Sequence, residues 1–332
     1  MLLLIKNKKK SQVAILAIQT KNGKAFEFAT LISLQSHLSN NQQVVILNTP
    51  ALVTAQQFYS NIGGTIRRDM DLAANAAIRV LLRMEPQLEN PYVNTPLYLS
   101  IQGDASGIAG DVRDVLTVRI QNQWEIGISC KHNHTAIKHS RLSSTIDFGN
   151  LWFGIPCSAS YFQNINPIFE ELRVMRQSGM LWSSVPNKDV RFYVPILEHF
   201  MSEIRRLDTA NPNRIPGLLL RYLLGTNDFY KVITHDRRRV TQIQAFSLYG
   251  TLNHNAGAIR TQKLPQLALP NHFYDINFKA GSRNTIRIVC DEGWAINMRI
   301  HSAASLVEPS LKFDVTLIGV PPNLHTQHEP WN

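Results

Sequence analysis

Cysteine is scarce: this chain of 332 residues has three, Cys130, Cys157 and Cys290, far apart and without a CxxC pair. That odd, scattered set supplies neither a disulfide framework nor a zinc site, and it suits a reducing compartment. Long apolar runs are missing too. Met1-Leu2-Leu3-Leu4-Ile5 is far too short to span a bilayer, and the basic stretch Lys6 to Lys10 follows it, the reverse of a secretory leader. The expectation is a cytoplasmic protein without a membrane span. Charge is low, at 17% of residues, and acids are the rarer sign: 24 Asp+Glu against 34 Lys+Arg leave a net charge of +10. Such a surplus favours a polyanionic partner, because phosphate neutralisation by Lys and Arg dominates nucleic-acid affinity. Ribosomal or anionic-membrane contact is the blander use of the same charge.

What is present centres on two stretches. Val112 to Val118 is β-branched and apolar around Asp114, and Trp124 to His134 alternates, so both predict strands, joined by a short polar turn over Gln121–Gln123. Side chains two apart on a strand share a face. Glu125, Gly127, Ser129 and Lys131 therefore face one way, and Ile126, Ile128 and Cys130 the other. A turn of two or four residues sets Asp114 opposite Ser129 or Lys131; a turn of three shifts it to Cys130. An aspartate, a polar residue and a lysine converging on a sheet edge suit a metal-dependent phosphodiester hydrolase. The carboxylate would hold a divalent cation, and the lysine would position or deprotonate the attacking water. The pattern resembles that of the PD-(D/E)XK nucleases, with Ser129-Cys130-Lys131 standing where (D/E)XK is usual. Serine in the first place leaves one carboxylate short for Mg²⁺, which prefers an oxygen-rich octahedral shell. Glu27, flanked by apolar residues, either pairs with a basic group or reaches into the active site; in the second case it is the foremost candidate for the missing acid, with Asp111 and Glu125 behind it. A charged strand edge is the plain reading of the same triplet.

In chain order, Asn22-Gly23 reads as a breaker, followed by a helix from about Lys24 to Leu38 with Ala25, Phe28, Ala29 and Ile32 as its apolar stripe. A second helix covers 67–85 and ends before Pro86; its Arg67, Arg68, Arg79 and Arg83 read as a solvated face. Pro91 to Gln102 is an extended lead into the hairpin. After the hairpin, His132, Asn133 and His134 invite a metal reading. The nucleases named for those three letters spread them over a longer ββα stretch, so DNA contact fits better. Asn133, His134, Lys138 and Arg141 could reach phosphates or base edges. Helices are expected over 166–178 and 194–207. His235 to Arg239 is a basic cluster, read as a phosphate clamp through Arg237 and Arg238 or as an exposed turn. Beyond Thr241, strands are expected at 242–249, 274–278, 285–289, 295–300 and 311–319. Lys279, Arg283, Asn284, Arg287 and Arg299 decorate this region, and Asn253, His254 and Asn255 form a further polar loop. The whole reads as mixed α/β: a nuclease core with a mixed central sheet flanked by helices in 1–165, a helical region in 166–240, and a β-rich DNA-recognition region in 241–332.

The chain also resembles the HaeIII-type restriction endonucleases. The likeness rests on Gly127–Ser143, Asp147-Phe148-Gly149, Ile155-Pro156-Cys157-Ser158, Pro167-Ile168-Phe169, Tyr222-Leu223-Leu224-Gly225, Asp228–Ile233 and Thr241–Gln244. It continues through Gly281–Thr285, Gly293-Trp294, Arg299-Ile300-His301 and Val307–Asp314. Taken in order, it runs from about Lys24 to Gly319. The resemblance implies a type II restriction enzyme that uses Mg²⁺ to cut a short palindromic duplex site, GGCC in the family's namesake. It also implies a cognate DNA methyltransferase that protects the host. Cutting both strands of a palindrome suggests a homodimer, two-fold matched to two-fold. Asp114, Lys131, Ser129 and Glu27 would then be catalytic, with Asp114, Glu27 and Asp111 as metal ligands. A non-catalytic, sequence-specific DNA-binding protein, in which Asp114 and Lys131 form a structural ion pair, is the alternative from another class.

Overall fold

A computed structural model describes residues 2–89, 95–103, 110–253, 264–302 and 304–332, with the backbone alone for 2–18 and 139. In chain order the elements begin with α1 (Leu2–Leu38), β1 (Val44–Ile46), α2 (Pro50–Asn61), α3 (Gly64–Met84), β2 (Leu97–Ile101), β3 (Val115–Arg119) and β4 (Trp124–His132). There follow β5 (Ala136–Leu142), α4 (Phe148–Phe153), α5 (Ala159–Gln177), α6 (Val194–Ala210) and α7 (Ile215–Leu224). The remainder is strand: β6 (Phe229–His235), β7 (Val240–Phe246), β8 (Phe273–Phe278), β9 (Thr285–Cys290), β10 (Ala295–His301), β11 (Leu311–Gly319) and β12 (Thr326–Pro330). The class is mixed α/β, as expected.

The chain divides into two compact units that interleave in sequence. Met1–His134, Asn227–Leu267 and Asn323–Asn332 form the first; Thr135–Thr226 and Ala268–Pro322 form the second. This cuts across the expected divisions at 165 and 240. The reason is topological: β4 pairs with β6 in parallel, and a parallel pair needs a long crossover. Here the crossover has grown into most of another unit.

The first unit holds a seven-stranded mixed sheet in the order β1-β2-β3-β4-β6-β7-β12. Helices α1 and α3 pack on it. Phe26, Leu31 and Leu34 of α1 are fully buried, in one core with Ile126, Ile128, Tyr230, Val232 and Ile243 from the strands. Each such side chain contributes about 1.5–3 kcal/mol by leaving water. That packing explains why α1 runs straight through Asn22-Gly23: one helical glycine costs only about 1 kcal/mol. Thr49 caps α2 by accepting from Leu52 N at 3.1 Å, with Pro50 in the first turn. Arg79 and Arg83 of α3 meet Glu329 of β12 at 3.5 and 3.1 Å, which accounts for two of the four arginines expected on a solvated face.

One core acid carries a pH signature. Glu85, almost fully buried, accepts from Tyr230 Oη at 2.6 Å and Asn253 N at 2.7 Å. Burial pushes its carboxyl up to about 7. Its folded value lies above its unfolded one, so its stabilising share is complete below pH 4.5 and is lost as pH rises through 7. The loss amounts to about 3 kcal/mol. Glu85→Gln keeps the accepting oxygen without the charge. It is expected to unfold at higher urea than wild type at pH 8, with the gap closing by pH 5; equal midpoints at both pH values would contradict this.

The second unit holds an antiparallel sheet in the order β5-β11-β10-β9-β8. Its inner face (Ile286, Ile288, Ile296, Met298, Ile300, Phe313) is buried. Phe148, Phe200 and Phe313 pack in series as tilted pairs, their centroids 4.7 and 5.1 Å apart, and Trp152 lies flat on Tyr222 at 4.7 Å. On the outer face Arg287 meets Asp275 at 3.2 Å and Arg299 meets Asp314 at 3.0 Å.

Candidate active site

The β3–β4 hairpin registers Val115 with Ile128 and Arg119 with Trp124. Ile120 to Gln123 close it, with Gln123 in the left-handed region at φ 49°. This turn of even length places Asp114 across from Ser129, on their shared face. The last backbone bond of the ladder runs from Asp114 N to Ile128 O at 2.8 Å. Beyond it β3 departs, and the next donor on β4, Cys130 N, is taken by the Asp114 carboxylate at 2.7 Å. The same oxygen, Oδ2, lies 3.3 Å from Ser129 Oγ and 3.5 Å from Lys131 Nζ. Three consecutive residues of β4 thus converge on one carboxylate oxygen. The other Asp114 oxygen takes none of these bonds.

A second acid enters from α1. Glu27 is 5% exposed and 3.2 Å from Lys24 Nζ. Burial first, then the negative charge of Asp114, push its carboxyl up to about 8. Thr30, one turn on, lies against Cys130 with Oγ1 3.6 Å from the thiol. The two carboxylates therefore feel each other at one end of the hairpin, with Lys24 and Lys131 acting in the opposite sense.

The other acids considered as metal ligands are engaged elsewhere. Arg113 Nε and Nη2 take both oxygens of Asp111 at 2.8 and 2.7 Å, and Nη1 takes Glu125 at 2.7 Å. Burial works against it, yet the bonds from Arg113 and Gln102 hold the Asp111 carboxyl below its usual range. Asp111 is thus the ion-pair partner of Arg113 and is not among the groups that converge with Asp114. Gly127 makes this possible. A Cβ there would fall 2.0 Å from Arg113 Cδ and 2.8 Å from its Cβ, so no rotation of the guanidinium end relieves it. Gly127→Ala is expected to cost about 2–4 kcal/mol in urea unfolding by displacing a buried ion pair. A loss below about 0.5 kcal/mol, the scale of a neutral surface change, would contradict the close approach.

Sequence reasoning passed over Lys231. It pairs with Ser129 across the parallel β4–β6 register and is 2% exposed. Burial, then the charge of Lys131, pull its ammonium down to about 7. The available signal was a lone lysine within the apolar run Phe229–Ile233.

Beyond β4, Asn133 adopts φ 57°. Its side chain donates to Asp236 Oδ2 at 2.6 Å and accepts from Asp236 N at 3.0 Å. An amide so occupied is a brace for the β6–β7 turn, against its expected role on base edges. His134 is exposed. Arg237 and Arg238 are exposed in the same turn, where Asn133, His235, Asp236, Arg237 and Arg238 line a cleft of about 650 Å³. Neighbouring Arg239 is tied down by Asp69 at 2.9 Å and stacks on Trp331.

Four expected DNA-binding residues belong to the second unit. Lys138 was expected on phosphates; its ammonium instead donates to Tyr222 O at 2.8 Å and sits 3.8 Å over the Tyr222 ring. Burial pulls that ammonium down to about 8, so it is engaged inside its own unit. Arg141 is exposed but donates to Ser310 Oγ at 2.8 Å. Arg283 is exposed in the β8–β9 turn, and Asn284 beside it accepts from Ser282 and Thr285, each at 3.0 Å. His254 and Asn255 lie outside the described residues.

Comparison with known proteins adds an independent finding. The family model described as HaeIII restriction endonuclease matches residues 23–321. The type II restriction enzyme HaeIII of Haemophilus aegyptius is 39% identical over 311 residues, covering 93% of this chain and 97% of that protein. No solved structure matches.

Proposed function

The chain belongs to the HaeIII restriction endonuclease family and is a type II site-specific deoxyribonuclease; from that premise we propose that it cuts duplex DNA at GGCC through the Asp114 cluster. The observation that carries the site assignment is the convergence of Ser129, Cys130 N and Lys131 on Asp114 Oδ2. That convergence supports a variant PD-(D/E)XK centre in which serine replaces the middle acid.

Type II restriction endonucleases generally use divalent metal ions, and we assign Mg²⁺ here. Among the described residues no group of three or more His, Cys, Asp and Glu gathers to hold a metal by side chains alone. Two carboxylates suffice for magnesium, which keeps several waters and takes the rest of its shell from substrate phosphate. Asp114 and Glu27 fit that habit: Glu27 is raised by burial first and by the charge of Asp114 second, so the two carboxylates are close enough to interact. When bound, the ion supplies charge neutralisation at the phosphate and a nucleophile at neutral pH.

The protein's own groups do the remainder. The Cys130 N–H and the Ser129 hydroxyl fix the Asp114 carboxylate, so its geometry is set before substrate arrives. Lys131 orients the attacking water and stabilises the charge that develops on the phosphate. Lys24 holds Glu27 in place. For duplex binding we keep Arg237, Arg238, His134, Arg141 and Arg283 as phosphate or groove contacts. A homodimer would match the two-fold of a palindrome, and a methyltransferase of the same specificity would protect host sites. No helix among the described residues is long and apolar enough to cross a membrane, in keeping with the cytoplasmic location proposed for an enzyme that guards against incoming DNA.

The test is digestion of unmethylated plasmid with Mg²⁺. Fragments matching the map of GGCC sites, with sites methylated beforehand left intact, are expected. Discrete fragments of another pattern would overturn GGCC while keeping the nuclease. No cleavage, with tight binding independent of metal, would favour the non-catalytic DNA-binding reading.

A further inference from the structure

The turn after β6 is built as an arm. Its first residue, Asp236, is held from the end of β4 and the residue after it by three bonds: Asn133 Nδ2 at 2.6 Å, the return bond from Asp236 N to Asn133 Oδ1 at 3.0 Å, and His132 Nε2 at 3.2 Å. Asn133 also donates its backbone N–H to Thr234 O at 3.2 Å. His132 and Asn133 directly follow Lys131, so the strand that presents the lysine also clamps the turn. The only carboxylate within the turn is thereby occupied. Arg237 and Arg238 have no ion-pair partner among the described residues, whereas Arg239 has Asp69. Two adjacent guanidinium groups left unneutralised on a braced turn, lining a cleft of about 650 Å³, suit an oxygen-rich dianion or a diester, which arginine takes bidentately.

We propose that this cleft seats a backbone phosphate of the duplex a few nucleotides from the one cleaved, gripped by Arg237 and Arg238 and held in register with Lys131 by the Asn133–Asp236 brace. This rests on the duplex-cutting reading above and gives it a second, fixed point of attachment. The spacing follows from the register. Lys131 pairs with Ile233, and β6 runs two residues further, about 7 Å at roughly 3.3 Å per residue, before the turn opens at Asp236, which puts the turn roughly 10 Å from Lys131. At about 3.4 Å of rise per nucleotide on one strand, that is about three nucleotides. Asn133 and Asp236 line the same cleft but act in this scheme as positioning residues, their polar atoms taken up by each other and away from the reacting atoms.

The test combines neutral-phosphate substitution with mutation. A series of short duplexes, each with one methylphosphonate, is titrated by anisotropy against wild type and the Arg237→Ala/Arg238→Ala double variant. One position two to four nucleotides from the cut site is expected to weaken wild-type binding about tenfold and to leave the double variant unaffected. The slope of log K against log salt is expected to fall by about one to two in the double variant, at about 0.9 for each phosphate that is no longer neutralised. Asp236→Ala is expected to lose at least tenfold in single-turnover cleavage while duplex affinity changes less than threefold, the mark of a misplaced phosphate and not of a weakened grip. Equal sensitivity of wild type and double variant at every position, or an unchanged salt slope, overturns the clamp. Unchanged cleavage by a folded Asp236→Ala overturns the brace. Binding is read without turnover, so a wild type that shows the phosphate effect but never cuts would sink the nuclease reading and leave the clamp standing.

Discussion

Asp114→Asn is expected to abolish DNA cleavage, by on the order of 10³-fold or more, while duplex affinity stays within a few fold. The substitution preserves shape: an amide oxygen in place of Oδ2 can still accept from Cys130 N. What it removes is the negative charge on which a divalent cation depends. An interaction needed only as charge develops at the phosphate shows in the rate and not in ground-state binding. Single-turnover cleavage of a radiolabelled duplex, beside gel-shift affinity for the same duplex, separates the two. If Asp114→Asn lost affinity and rate together by similar factors, the aspartate would be holding the hairpin, and the structural ion pair with Lys131 would be its whole role.

The Lys131→Ala variant is expected to show a loss of similar order in the cleavage step, with unaltered dependence on metal concentration. Lys131 donates to Asp114 at 3.5 Å and its side chain is partly exposed; as a cation it is not itself a metal ligand. Its removal takes away an electrostatic stabiliser of the developing charge without touching either carboxylate. A shift to much higher metal requirement, with the maximal rate kept, would instead place the lysine in metal binding. Arginine in its place retains charge but not the compact ammonium, and recovery of less than a tenth of the rate is expected.

Strand periodicity made the grouping of Asp114, Ser129 and Lys131 legible, because a period of two leaves only the parity of the turn open. The turn over Ile120–Gln123 settled that parity. Glu27 was visible as an acid inside an apolar helical stripe, a place a solvated carboxylate does not occupy. The β8–β11 strands were close to their predicted bounds, since their alternation is strong and their turns are short. Other features depended on neighbours distant in sequence. Nothing local in Lys138 says that the Tyr222 carbonyl will take its ammonium, nor does Asp111 announce Arg113 lying over Gly127. Helix α1 overrode its Asn-Gly because core packing outweighs one residue's propensity. The interleaving of the two units followed from the parallel β4–β6 pairing, which no single window of sequence contains. Lys231 stayed hidden for the same reason: its importance comes from the strand beside it.

The central claim is that Asp114 and Glu27 form the metal-holding end of the cleavage centre. Replacing Mg²⁺ with Fe²⁺ and adding ascorbate and peroxide cuts a polypeptide where the ion sits, and the fragments give the location directly. Breaks are expected near residue 27, near 114 and within 129–131, suppressed by excess Mg²⁺ and lost in the Asp114→Asn/Glu27→Gln double variant. Breaks confined to other parts of the chain, or a pattern the double variant leaves unchanged, would contradict the assignment.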